Sequence, residues 1–292
     1  MTIMCTGEGR EMDGTTVEHR TGTFKGKGGL NLFYQAWVPC HSGAVIALIH
    51  GIGEHSGRYD HVGRRFAGEG YAVFAYDHRG HGRSQGTRGH VDRFEDYLDD
   101  VDAFLALVRE QNPGKKVFLY GHSMGGLIAL GYAEGHPGSL GGVIVTSPCL
   151  GLTVKVPPTK AALARVLSSL LPRLALDSGL PLKYLARNQR VGEEYAKDPH
   201  VGRKVSTRWY CELVRAMAEV NARAAQLAVP VIILQGGDDH LVSAEQTIRF
   251  YEQAGTPDKR LKVYEGFYHE IHNEDDREQV FQDVLAWLVR RS

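Results

Sequence analysis

Lys116-Val117-Phe118-Leu119-Tyr120-Gly121-His122-Ser123-Met124-Gly125-Gly126-Leu127-Ile128-Ala129-Leu130 runs from a continuous apolar segment, through a serine between glycines, into a small-residue helical pattern. An apolar run without alternation is expected for a strand covered on both faces. The glycines at 121 and 125 let the backbone pass closely through a turn. A serine on such a strand-to-helix turn carries its hydroxyl above the sheet end, where it can act as a nucleophile. A second Gly-x-Ser-x-Gly run surrounds Ser84, from Gly82 to Gly86. It follows the polar loop His78-Arg79-Gly80-His81-Gly82-Arg83 and leads into Thr87-Arg88-Gly89, with no helix start. Ser84 is therefore read as a loop residue bonded to local backbone, and Ser123 as the candidate nucleophile.

Working outward, further apolar runs of strand length lie at 44–50, 71–77, 142–146, 231–235 and 261–264. Helical patterns alternate with them, at 94–110, 124–134, 244–254 and 277–290. In the first, Phe94, Leu98, Val101, Leu105 and Val108 form one apolar stripe. This alternation predicts an α/β protein with a mostly parallel sheet between helices. Residues 30–37 alternate apolar and polar after Gly28-Gly29 and read as an antiparallel edge strand. The rhythm breaks from about 150 to 228, where no strand is convincing and helices are expected at 161–171 and 203–225. That segment reads as a helical cap inserted over the carboxyl ends of the strands, where open α/β sheets bind ligands. The expected division is a core of 23–149 and 229–292, a cap of 150–228 and a flexible segment of 1–22.

A serine hydroxyl needs a base to take its proton and an acid to orient that base. The strand at 231–235 runs into Gly236-Gly237-Asp238-Asp239-His240, and that at 261–264 into Glu265-Gly266-Phe267-Tyr268-His269-Glu270-Ile271-His272. Both are loops at strand ends, in the chain order serine, acid, histidine. His269 is the preferred base; His272 reads as a residue of the pocket or just behind it. Asp239 is preferred to Asp238, although both fit. Oxyanion donors are expected at the N–H of Met124, after the nucleophile, and of Ile52 in His50-Gly51-Ile52-Gly53-Glu54-His55.

The 292 residues carry 34 basic and 34 acidic side chains, and apolar residues make up 42%. This neutral balance offers no basic excess for nucleic acid. Cys5, Cys40, Cys149 and Cys211 are scattered, without metal-ligand or redox spacing, and read as separate reduced thiols. No cofactor or metal is implied. The polar N-terminal stretch lacks the apolar core of a signal peptide, and no run of about 18 apolar residues exists to span a bilayer. A cytoplasmic location is expected, with peripheral membrane contact open to the cap.

The runs His50-Gly51-Ile52-Gly53-Glu54-His55-Ser56-Gly57-Arg58-Tyr59, Asp77-His78-Arg79-Gly80-His81-Gly82-Arg83-Ser84, Gly121-His122-Ser123-Met124-Gly125-Gly126 and Tyr264-Glu265-Gly266-Phe267-Tyr268-His269 resemble the monoacylglycerol lipase family. The resemblance extends from about Thr23 to Ser292. It implies an α/β-hydrolase fold and the triad Ser123, Asp239 and His269; the matching Leu234-Gln235-Gly236-x-x-Asp239 settles Asp239 over Asp238. It further implies that Glu54, Arg58 and His272 contact the glycerol end of a monoacylglycerol, although an ion pair between Glu54 and Arg58 would also explain those two. The apolar face of 161–171, with Leu163, Val166, Leu167, Leu170 and Leu171, fits a lid that touches lipid or a helix packed on the core. A serine aminopeptidase or an acyltransferase could use the same triad. A non-catalytic ligand-binding module on this fold is the reading from another class.

Overall fold

The computed structural model describes residues 10–12, 15–153 and 158–292. The strands in chain order are β1 (Arg10–Met12), β2 (Thr15–Lys25), β3 (Asn31–Pro39), β4 (Ala44–Ile49), β5 (Tyr71–Tyr76), β6 (Lys116–His122), β7 (Gly142–Thr146), β8 (Ala175–Asp177), β9 (Lys204–Ser206), β10 (Val231–Gly236) and β11 (Lys259–Tyr264). The helices are α1 (Asp60–Gly68), α2 (Glu95–Gln111), α3 (Met124–Gly135), α4 (Pro158–Leu170), α5 (Gln189–Lys197), α6 (Thr207–Ala222), α7 (Ala244–Gln253) and α8 (Glu278–Val289).

The main sheet has the order β1-β2-β3-β5-β4-β6-β7-β10-β11. From β5 to β11 all neighbours are parallel. β3 joins β5 antiparallel, and β2 joins β3 antiparallel. β4, β5, β6, β7 and β10 are buried almost throughout, which explains their continuous apolar sequences. One apolar cluster packs α2, α3, α6 and α7 on one face, and another packs α1 and α8 on the other. α3 is buried on all sides, which its glycines and alanines permit. This is the α/β-hydrolase fold expected from the sequence.

Two expectations fail at the sheet's edge. β3 lies inside the sheet, because β2 pairs along its whole length, from Val17↔Pro39 to Lys25↔Asn31. The flexible segment expected at 1–22 is therefore replaced from Thr15 onward by an 11-residue strand; residues 1–9, 13 and 14 lie outside the described residues. Threonines and Val17 suit a pleated surface better than the polarity of that stretch suggests. The turn back into β3 uses Gly28 and Gly29 at positive φ.

Between β7 and β10 the chain forms α4, α5, α6 and a short β8–β9 ribbon. The expectation of no strand there is corrected by this ribbon, whose three-residue strands are too short for a periodic signal. The expected helix at 203–225 is shorter, because Lys204–Ser206 pairs in the ribbon and Ser206 caps α6 by accepting from the Trp209 N–H. α1 and α5 were not anticipated. Cys149 and Cys211 are free thiols. Cys40 is disulfide-bonded, so the reading of separate reduced thiols fails there; spacing along the chain does not report which sulfurs the fold brings together. No helix among the described residues is long and apolar enough to cross a membrane.

Candidate active site

The sheet registers bring the ends of five parallel strands to one edge: Ile49↔Gly121, His122↔Thr146, Thr146↔Leu234 and Gly236↔Tyr264. The loops leaving β4, β6, β10 and β11 carry Ile52, Ser123, Asp239 and His269, so four distant segments converge above that edge.

Ser123 sits between β6 and α3 with φ 53° and ψ −117°. Its N–H donates to Thr146 O at 3.0 Å, and its carbonyl accepts from Leu127 N–H at 3.1 Å and Cys149 N–H at 2.9 Å. The flanking glycines are sterically required. A Cβ on Gly121 would strike the Gly125 carbonyl, and one on Gly125 would strike the Ile49 and His50 carbonyls. Ser84, by contrast, donates its hydroxyl to Asp77 O at 2.5 Å and accepts from Phe33 N–H at 2.8 Å. It is the loop residue the sequence indicated.

His269 Nδ1 lies 2.8 Å from Asp239 Oδ2. The other Asp239 oxygen accepts from the N–H groups of Leu241 and Val242 at 2.8 and 3.0 Å, and Gln235 donates to Oδ2. Asp238 is exposed, so the structure selects Asp239 as the partner of His269. Burial would raise the Asp239 pKa, but His269 and these donors hold it below the usual carboxylate range. For His269 burial acts downward and is outweighed by the Asp239 carboxylate, which raises the imidazole pKa. The pair therefore favours a proton on His269 Nδ1 and leaves Nε2 to exchange protons with a reacting group. Ser123 and His269 both line one cavity of about 270 Å³, with Ile52, Met124 and Glu54. Among the described residues neither the Ile52 nor the Met124 N–H has an acceptor. Met124 also opens α3, whose positive dipole end faces the same place. The remaining wall is largely apolar and comes from the inserted segment, notably Leu180, Leu185, Val205, Trp209 and Leu213.

Glu54 lines the cavity, whereas Arg58 and His272 stand behind its wall. Arg58 donates to Glu54 at 2.6 Å and bidentately to Glu270 at 2.7 and 2.8 Å. Glu54 also accepts from Tyr59 OH at 2.7 Å and Gly51 N–H at 2.6 Å. The ion pair weighed from the sequence is thus present, and its second carboxylate, Glu270, was missed. Its contact with Arg58 spans 212 residues, so no local pattern announces it. Burial opposes ionisation of Glu270, yet Arg58 holds its pKa below the usual carboxylate range, whereas burial raises that of Glu54. His272 is fully buried, with its ring 4.9 Å from Tyr59 and 4.7 Å from His122. His122, also missed, lies 4.8 Å from the His269 ring, and burial followed by the neighbouring His269 lowers its pKa to about 3.

Fold and site together define a serine hydrolase. The chain belongs to the Hydrolase_4 family, described as serine aminopeptidase, S33, whose model matches residues 41–276. It is 33% identical to the monoacylglycerol lipase of Mycolicibacterium smegmatis, over 94% of this chain and 98% of that one. It is 37% identical to phospholipase YtpA of Bacillus subtilis, over 86% and 97%. The crystal structure of Paleococcus ferrophilus monoacylglycerol lipase matches with a TM-score of 0.81 at 32% identity, covering 94% of this chain and 100% of that one. The chain is thus a serine hydrolase related to monoacylglycerol lipases and phospholipases.

Proposed function

We propose that this protein is a carboxylic-ester hydrolase that cleaves monoacylglycerols or similar single-chain acyl esters to a fatty acid and glycerol or the corresponding alcohol. The observation that carries this reading is that His269, paired with the buried Asp239, shares an apolar cavity with a serine on a strained elbow. Ser123 attacks the ester carbonyl as His269 takes its proton, and the N–H groups of Ile52 and Met124 hold the oxyanion. His269 then protonates the departing alcohol oxygen. Water, deprotonated by His269, attacks the acyl-serine carbonyl and frees the fatty acid. Residues 23–149 and 229–292 form the catalytic core in this reading, and 150–228 the cap that encloses the acyl chain. Glu54 meets the alcohol end of the substrate, while Arg58 and His272 support it from behind the wall. Contact with a lipid surface is made through α4.

The family description favours a second reading, an aminopeptidase. Such an enzyme needs a carboxylate to hold the substrate's α-ammonium group. The carboxylates Glu54 and Glu270 in the cavity wall are both committed to Arg58, which favours an uncharged ester. The test is a panel of monoacyl-, diacyl- and triacylglycerols and aminoacyl arylamides, run beside fluorophosphonate labelling. Labelling lost in Ser123→Ala, with preference for monoacylglycerols, supports the proposal. Preference for the arylamides replaces it with the peptidase, and an unlabelled wild-type protein leaves a non-catalytic binding module.

A further inference from the structure

His50, Gly51 and Ile52 follow β4 at the cavity edge, and their peptide groups are held in an ordered way. The His50 carbonyl is 3.0 Å from His78 Nε2, and the Gly51 N–H donates to Glu54 at 2.6 Å. The next peptide, between Gly51 and Ile52, has its carbonyl 2.7 Å from His50 Nδ1. The direction of that bond follows from a third contact. The backbone N–H of His78 can only donate, and it meets His50 Nε2 at 3.0 Å. Nε2 must therefore accept, which leaves the ring proton on Nδ1 to donate to the Gly51 carbonyl.

In a trans peptide the carbonyl and the following N–H point in opposite directions across one plane, and there is no cis peptide among the described residues. Fixing the Gly51 oxygen toward His50 therefore aims the Ile52 N–H the other way. Glycine at 51 leaves the torsion before this peptide unusually free. The branched Ile52 side chain opposes complete reversal, so the imidazole governs the tilt, and an oxyanion donor is effective only within a narrow distance range.

We propose that His50 is a positioning residue of the oxyanion hole, a hydrogen-bonded strut from the His78 backbone to the Gly51–Ile52 peptide that aims the Ile52 N–H at the developing oxyanion. Burial, reinforced by His78 and His81, keeps the His50 pKa well below the ordinary imidazole value, so the strut persists at neutral pH. The inference rests on the ester-hydrolase reading given above.

Two substitutions separate aim from mere packing. His50→Gln keeps an acceptor near the Nε2 position without a donor at Nδ1, whereas His50→Asn places an NH₂ near Nδ1. With p-nitrophenyl octanoate, His50→Gln should lower kcat about a hundredfold with KM changed by less than about twofold. Affinity for octyl trifluoromethyl ketone, whose serine adduct carries an oxyanion, should fall in parallel, and His50→Asn should recover at least about tenfold of the lost kcat. The inference is overturned if His50→Gln turns over like the wild type, if His50→Asn is no better, or if the loss tracks a lower melting temperature in both variants. A wild-type protein that neither reacts with fluorophosphonate nor cleaves the ester overturns the ester-hydrolase reading instead.

Discussion

Ser123 holds a left-handed φ that side-chain-bearing residues adopt only at a cost of order 1–3 kcal/mol. Three backbone hydrogen bonds and the two bare glycines keep it there. The pH dependence follows from His269. The base must be neutral to accept the serine proton, and Asp239 raises its pKa. Activity is therefore lost as pH falls through a value above the ordinary imidazole pKa of about 6.5. In Asp239→Asn that acid limb moves to lower pH, while kcat falls roughly 10⁴-fold; a pH–rate profile of both proteins measures each effect. Ser84 behaves oppositely. Ser84→Ala strands the Phe33 N–H and should cost about 1–3 kcal/mol in urea unfolding while fluorophosphonate labelling at Ser123 persists. Ser123 and Ser84 share a five-residue pattern, and only the strand before and the helix after Ser123 tell them apart in the sequence.

At the scale of elements, the buried core strands were legible as continuous apolar runs, and α2 by its periodic apolar stripe. β2, α1, α5 and the β8–β9 ribbon were not. They are polar or short, and their apolar partners lie in distant segments. α4 shows where structure resolves an ambiguity. Leu163, Val166, Leu170 and Leu171 are 57, 55, 73 and 54% exposed, while Ser168 is buried and Arg208 bonds to its carbonyl. The apolar stripe thus faces outward and is not packed on the core, with exposed Arg165 on the same helix. Replacing Leu163, Val166 and Leu170 together by serine should reduce sedimentation with anionic phospholipid vesicles by about tenfold or more, as burial of each side chain contributes roughly 1.5–3 kcal/mol. Turnover of a short water-soluble ester should be retained. Equal vesicle binding by the variant would end the lipid-contact proposal.

For the whole molecule, the site is held by links between the loops of remote strands. Arg58 joins the segment after β4, through Glu54, to the segment after β11, through Glu270. The inserted segment closes on the same loop: Gly202 N–H donates to Gly53 O at 2.7 Å, and Tyr195 OH reaches Ile52 O. Arg58→Met would leave two carboxylates buried together. Denaturant unfolding should show a loss of about 3–5 kcal/mol, because an uncompensated buried charge is far more costly than a missing surface pair.

By itself the sequence determined the parallel sheet, the elbow at Ser123, and the serine–acid–histidine order, because each is written in local periodicity and turn chemistry. The residues alone gave Asp239 a modest preference over Asp238, and the family resemblance settled Asp239, which the structure pairs with His269. Only the tertiary structure decided that Glu270 completes the Arg58 pair and that β2 covers β3. It alone placed His50 against the Gly51–Ile52 peptide and showed which side chains of the inserted segment line the cavity. Those facts depend on strand register and on packing between segments far apart in the chain. Contacts between segments far apart in the chain have no local signature in composition or spacing.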